Sequence, residues 1–481
     1  MEDIAFESLT IKEEKPVDEL ANKIAQNVKL IYSDIMDEMV QGTTGLRKIL
    51  SVGSPPNDKV LVTGVLPRLV TFLDDSAPQI LQFESCWCLS NIASGTAAHT
   101  KQVVENGALV PLVKLLSPNS KAMEDLKEQC VWAIGNITGE SPKYRDEALY
   151  LGVIDHLVDF ASKTKVLNSL RIISWTISNL CRGKPPPPFH LVSPALSLLE
   201  TLVHYPDQEI NIDATWAVGH MSTNASPEVT QCIVDRPALV KRMVELMLSP
   251  TQAIMVPALR VVGNIASSSE IENTKLVISF GILPIIHGLF RHAKKTVRKE
   301  AFWIASNIAV GSPLLIQQMI DADFYQPILH ALTNENEVIE CKREISWILS
   351  NTLSEATPQQ VDDLVRSPIL AFIPSILDTM LEHPSDKICL ILLETFENIL
   401  KCGDLLLEEE KKEKDLNPYL NLCGDDIIDI FKDILLQTNE TDALDIKYII
   451  NDIADKYFGG TIASESDGEV PEDELVEDKS E

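Results

Sequence analysis

WAIGNITGESPKYRD, residues 132–146, decides the fold because the chain repeats it. WCLSNIASGTAAHT runs from Trp87 and WTISNLCRGKPPPP from Trp175. In each, a Trp stands four residues before an Asn. Trp216, Trp303 and Trp347 continue the series, the first four Trp lying 45, 43 and 41 residues apart. Trp216 and Trp303 are 87 residues apart, two periods, and the member between them is ALRVVGNIASSS, with Arg260 and Asn264 in register. After Trp347, LLETFENILKCG places Glu394 and Asn398 in the same register. All six Trp thus occupy one position of one repeat.

Each unit also carries a short apolar segment after a Gly or Pro, as in NGALVPLVKLLS (106–117), LGVIDHLVDFAS (151–162), FGILPIIHGLFR (280–291) and RSPILAFIPSIL (366–377). Apolar residues recur at helical spacing, and strand-like alternation is nearly absent. Gly suits a helix stop and Pro a first turn. A period of roughly 40–47 residues with two or three helices matches HEAT or armadillo arrays. Such units bury their faces only against their neighbours. The fold class expected is all-α: a right-handed superhelical armadillo solenoid of about ten repeats over residues 31–458. An acidic extension precedes it at 1–30 and a disordered acidic tail follows at 459–481.

The bulk numbers set limits on function. A chain of 481 residues is too long for one ordinary core, and no run of about 18 apolar residues offers a membrane span. The start, MEDIAFESLTIKEEKP, has no apolar signal core. Nine scattered Cys without a CxxC pair fit reduced thiols and a cytosolic or nuclear compartment. The formal charge of −30 repels nucleic acid and anionic lipid and favours cationic partners. The last 21 residues hold nine acids and one Lys, a solvated composition. No phosphate loop, nucleophile elbow or His/Cys metal spacing occurs, and the nine His are dispersed. Neither an enzyme nor a bound cofactor or metal is expected.

Residues four apart on a helix share a face. If that face lines a groove, Trp and Asn form two parallel ladders. Adjacent helices stand roughly 8–10 Å apart, so paired indoles wall slots that suit a Lys or Arg stem. Asn offers one acceptor and two donors to an extended backbone. A Trp stripe is more often core, but a recurrent Asn buried without partners costs roughly 1–3 kcal/mol each time. That cost points to a ligand.

On these motifs the chain resembles the importin-α (karyopherin-α) family over residues 31–458, with the acidic tail typical of that family. The resemblance implies an adaptor that shuttles between cytoplasm and nucleus and carries proteins with Lys/Arg-rich nuclear localisation signals. It implies a major signal site of Trp87, Asn91, Gly95, Thr100, Gln129, Trp132, Asn136, Glu140, Trp175, Asn179, Asp213 and Trp216. Gly95 and Thr100 match the family's pocket for a critical Lys, and Glu140 replaces its Asp. It implies a minor site of Arg260, Asn264, Glu300, Trp303, Asn307, Glu344, Trp347 and Asn351. Ser268 and Asn273 replace the Gly and Thr of that second pocket, and His220 stands where the family usually has Tyr. A recycling exportin is expected near Asn398 and residues 425–458. The family's Arg/Lys-rich importin-β-binding segment has no counterpart, since residues 1–30 hold Lys12, Lys15, Lys23 and Lys29 and no Arg. Residues 17–40 read instead as one amphipathic helix capping the array. The importin-β link is therefore in question, and the groove is expected to be free of self-occlusion. The competing class is an armadillo scaffold for signalling or assembly. Catenin-like grooves take acidic tails and display Lys and Arg, the opposite polarity; a scaffold binding other basic segments without transport fits this groove.

Overall fold

The computed structural model describes residues 19–384, 386–409, 416–438 and 443–459. Most of the expected extension at 1–30, part of the charged insert LEEEKKEKD and all of the expected acidic tail but Gly459 lie outside the described residues. Among the described residues every regular element is helical, and no helix is long and apolar enough to cross a membrane. The chain divides into two compact units, Met1–Thr223 and Asn224–Glu481. Each is an all-α armadillo solenoid.

One repeat shows how the sequence builds the others. A long helix, Glu124–Glu140, carries Trp132 and Asn136. A shorter helix, Pro142–Tyr150, follows, and then a third, Val153–Lys163. The first turn of the short helix is written in its leading dipeptide. Ser141 accepts a hydrogen bond from the Tyr144 N–H, and Pro142 takes the first helical position, where no N–H is needed. Ser226–Pro227, Ser312–Pro313 and Thr357–Pro358 start the matching helices of the second unit in the same way. Gly152 turns the chain into the third helix with φ 77°, and Gly281 does so at φ 87° in the second unit.

At Ala371 the same turn is made without glycine, at φ 45°. A Cβ in the left-handed region costs about 1–2 kcal/mol. Ala371→Gly is expected to raise stability by about 1 kcal/mol in denaturant unfolding, since glycine's own entropic cost offsets part of the relief.

Within the first unit the long helices pack in chain order: Met36–Leu50 on Gln79–Ala93, then Glu124–Glu140, Leu167–Cys181 and Gln208–Ser222. In the second unit Gln252–Ala266, Lys295–Ala309, Ile339–Glu355 and Lys387–Glu409 do the same. Their inner faces are solvent-free, with Ile134, Ile137, Ile173 and Ile177 in one unit and Val261, Ile304, Ile308 and Ile348 in the other. Each such side chain contributes about 1.5–3 kcal/mol relative to exposure. All nine Cys are free thiols, and Cys86 and Cys130 meet across two long helices at 3.6 Å.

The single helix expected over 17–40 is two helices, Glu19–Ile31 and Met36–Leu50. Tyr32–Ile35 breaks the run, with Ser33 accepting from the Ile35 N–H. The first helix lies on the second, and Gly42 and Gly45 let it approach closely. A Cβ on Gly42 would meet the Asn27 carbonyl at 2.6 Å. It thus covers the Met36–Leu50 helix.

Candidate functional site

The Trp positions lie on the long helices at a register neither buried nor free. Trp132 is 46% exposed and Trp347 47%, and the other four rings are intermediate. Indoles sunk in the core would have excluded a ligand role.

A small residue stands three positions after each Trp-register residue (Arg260 included) and one before each Asn-register residue (His220 included). Ser90, Gly135, Ser178, Gly219, Gly263, Ser306 and Ser350 fill that position. A Cβ built on Gly135 would lie 2.1 Å from Cζ3 of Trp175, and one on Gly263 2.2 Å from Cζ3 of Trp303. The Trp175 and Trp303 rings are therefore laid against the backbone of the preceding long helix. The sequence carries this signal as W-x-x-[S/G]-N, and the reading by Trp and Asn alone passes over it.

The Asn ladder corrects an argument made from sequence. These amides do not lack partners. Asn136 Nδ2 donates to the Ser90 carbonyl at 3.1 Å, Asn179 to Gly135 at 3.2 Å, Asn307 to Gly263 at 3.1 Å and Asn351 to Ser306 at 3.0 Å. Asn91, on the first Trp helix, reaches Ser51 Oγ at 3.1 Å. The other four bonds cross to the preceding long helix, where a carbonyl already used by its own helix offers its second lone pair. The cost of an unsatisfied amide is thus removed by the fold itself. Asn136 Nδ2 also lies 3.3 Å from Ser90 Oγ, and the Oδ1 of each of these amides is not used in these bonds.

In the first unit a cleft of about 430 Å³ opens between Trp132 and Trp175, with Arg171, Glu209 and Asp213 among its walls. Asp207 holds Arg171 through two bonds of 3.1 and 2.6 Å. Burial, with Glu209 nearby, pushes the Asp213 carboxyl up from 3.8 to about 6. The folded value is the higher one, so this group costs stability at neutral pH. That cost is relieved as pH falls through 6 towards the unfolded value. A cation in the cleft would draw the carboxyl back to its ionised form.

Gly95 and Thr100 lie together at the end of the Trp87 helix. Thr100 donates to the Ala93 carbonyl at 2.9 Å. Gly95 faces His99, whose Nδ1 would be 2.3 Å from a Cβ there; that nitrogen accepts the Thr96 N–H at 3.1 Å and caps the helix. Glu140 is exposed at the last position of its helix, four residues after Asn136 as Gly95 is after Asn91. Gln129, one turn before Trp132, is buried. His220, in the Asn register, stacks on Trp216 with ring centroids 5.5 Å apart.

In the second unit Arg260 is held by Glu300 at 3.0 and 3.1 Å. Burial raises the Glu344 carboxyl, Lys299 lowers it and Glu300 raises it further. A second cleft, of about 240 Å³, includes Ser268, Thr274, Asn307 and Gly311. Here the predicted correspondence shifts by one residue. The hydroxyl that repeats the Thr100 bond is that of Thr274, which donates to the Ala266 carbonyl at 3.1 Å. Asn273 instead donates to Ser268 Oγ at 3.2 Å. The turn after the Gln252–Ala266 helix is one residue longer than the turn after Ala93, and this displaces the register. Among the described residues no group of three or more His, Cys, Asp or Glu side chains is placed to hold a metal.

Comparison with known proteins follows the repeat. Residues 54–94 and 96–139 match the family described as Armadillo/beta-catenin-like repeat. Over 400 residues the chain is 39% identical to Importin subunit alpha-1b of Oryza sativa subsp. japonica, covering 83% of this chain and 72% of that one. It is 38% identical over 400 residues to Importin subunit alpha-4 of Arabidopsis thaliana, covering 83% and 71%. Importin subunit alpha-8 of Arabidopsis thaliana is 32% identical over 409 residues, covering 82% of this chain and 85% of that one. The crystal structure of an engineered protein shares the fold, with a TM-score of 0.73 at 20% identity over 89% of this chain and 97% of that one.

Proposed function

Because this chain belongs to the importin-α family, we propose that it is a nuclear import adaptor whose Trp/Asn face takes lysine- and arginine-rich localisation signals as extended peptides. The observation that carries this reading is the cleft between Trp132 and Trp175. It offers flat apolar walls to an alkyl stem and the Asp213 carboxyl to its charge. The Oδ1 of the half-buried Asn136 suits the main chain of any sequence, while the slots select the side chain. Arg260, Asn264, Glu300, Trp303, Asn307, Glu344, Trp347 and Asn351 form a second site of the same kind. There Glu300 and Glu344 stand one turn before their Trp. A two-cluster signal engages both, and its linker sets the effective concentration. The adaptor works without catalysis and cycles between cytoplasm and nucleus with its cargo.

The deciding experiment titrates the whole chain with a lysine-rich, an acidic and an uncharged peptide of equal length. The lysine-rich peptide alone is expected to bind, and more weakly as salt rises. Equal binding of the acidic peptide would overturn the reading.

The raised Asp213 carboxyl gives this binding a pH dependence. If a bound cation restores 3.8 from about 6, affinity falls about fourfold between pH 7.5 and 5.5. Asp213→Asn should flatten that profile. Calorimetry in two buffers of different ionisation enthalpy would detect the proton released at pH 6.

Glu140→Lys tests the proposed lysine pocket of Gly95 and Thr100. Its loss should be concentrated at one lysine of the signal, about tenfold there and smaller elsewhere. A uniform loss along an alanine-scanned peptide would remove Glu140 from that pocket.

A further inference from the structure

The Met36–Leu50 helix has no Trp, yet it takes part in the ladder. Asn91 donates to Ser51 Oγ at 3.1 Å, as later Asn residues donate to the helix before theirs. Ser51 thus accepts where Ser90, Gly135, Gly263 and Ser306 accept in later helices, and its own hydroxyl donates to the Arg47 carbonyl at 2.8 Å, which places Arg47 beside this joint. The Arg47 guanidinium carbon lies 4.6 Å from the centroid of the Trp87 ring. Glu84, three residues before Trp87, holds the same guanidinium through Nε at 2.8 Å and Nη2 at 3.3 Å. Both partners are largely withdrawn from water, the side chains being 19% and 6% exposed.

This is the arrangement an arginine of a basic peptide would adopt on such a ring: planar cation over indole, fork on carboxylate. The second unit repeats the pairing of guanidinium with carboxylate. Arg260 is in the Trp register and is held by Glu300, three residues before Trp303, as Glu84 is before Trp87.

We propose that Arg47 is a resident occupant of the first ring and a specificity-determining residue. It fills the face of Trp87 on the Met36–Leu50 side with the protein's own cation, so a bound signal is read for charge only from Trp87 towards Trp132 and Trp175. The signal position that falls beyond Trp87 is indifferent to charge. This rests on the basic-peptide reading above. The helix order supports the geometry, because Arg47 arrives from the helix packed on one side of the Trp87 helix while the Trp132 helix packs on the other.

The test uses the full chain and a set of basic peptides with lysine exchanged for alanine at each position in turn. In the wild type, exchange beside Trp132 and Trp175 should cost at least about tenfold, and exchange beyond Trp87 less than about twofold. Arg47→Met keeps an apolar stem and leaves Glu84 unpaired, and should make that outer position about tenfold selective for lysine or arginine. A second readout needs no peptide. With ¹⁵N-labelled indoles, methylguanidinium should saturably shift the Trp87 resonance, assigned through Trp87→Phe, in Arg47→Met and not in the wild type. A tenfold lysine preference beyond Trp87 in the wild type would overturn the proposal, and that arm decides even if Arg47→Met fails to fold. So would an Arg47→Met protein that folds, stays indifferent at the outer position and gives no methylguanidinium response. If no basic peptide binds at all, the reading of the groove fails, while the methylguanidinium arm still decides the role of Arg47.

Discussion

Trp132→Ala is expected to weaken a lysine-rich peptide by about 100-fold while shifting thermal unfolding by only a few degrees. The two effects separate because of where the ring lies. At 46% exposure it contributes part of its area to the core and presents the rest to the cleft it shares with Trp175. Aromatic anchors in such pockets cost about 2–4 kcal/mol when truncated, which is about 30- to 1,000-fold in affinity. Asn136→Ala tests something else. Its amide binds the Ser90 carbonyl on the neighbouring helix, so its removal costs about 1 kcal/mol of stability as well as a ligand contact. A titration of both variants, with circular dichroism to follow helix content, checks the pair. Unchanged binding by Trp132→Ala would remove the ring from the site.

Gly135→Ala is the second large effect, and helix propensity alone predicts the wrong sign. Alanine in place of a mid-helix glycine gains about 1 kcal/mol. Here its methyl would stand 2.1 Å from the Trp175 ring and 2.7 Å from Thr176 Oγ1. An indole cannot yield as a flexible chain end does, and overpacking of this kind costs about 1–3 kcal/mol. The clash wins, and Trp175 must leave its seat. The expected result is a net loss of about 1 kcal/mol in denaturant unfolding and a loss of at least about tenfold in peptide affinity. Gly288 is the control. It lies in the helix Ile282–Leu289 with nothing within 4 Å of a built Cβ. Gly288→Ala should therefore stabilise by about 1 kcal/mol and leave binding alone. If both substitutions stabilise equally, the seat is not tight.

The repeat and its partly exposed Trp register were legible because an indole at constant spacing is an unusual signal and apolar periodicity set the helices. What stayed hidden depends on the third dimension. The acceptor of Asn136 lies 46 residues back in the chain, and no local pattern reveals it. This is why the amides read as unsatisfied. Thr274 was passed over for Asn273 because an aligned position was matched, while the turn after Ala266 is a residue longer. The break at Tyr32–Ile35 contains neither Gly nor Pro, so the helices on either side read as one. Arg47 escaped notice because its helix lacks the Trp that marked the others.

The amides that stitch neighbouring helices together are the same amides proposed to meet a guest's main chain. Anyone re-engineering the receptor for a new cargo therefore has unequal freedom at the two rails. Trp132 and Trp347, nearly half exposed, can be exchanged to change taste with less penalty to the scaffold than the four deeper rings. Carboxamides cannot be traded away without unpicking the seams of the coil itself.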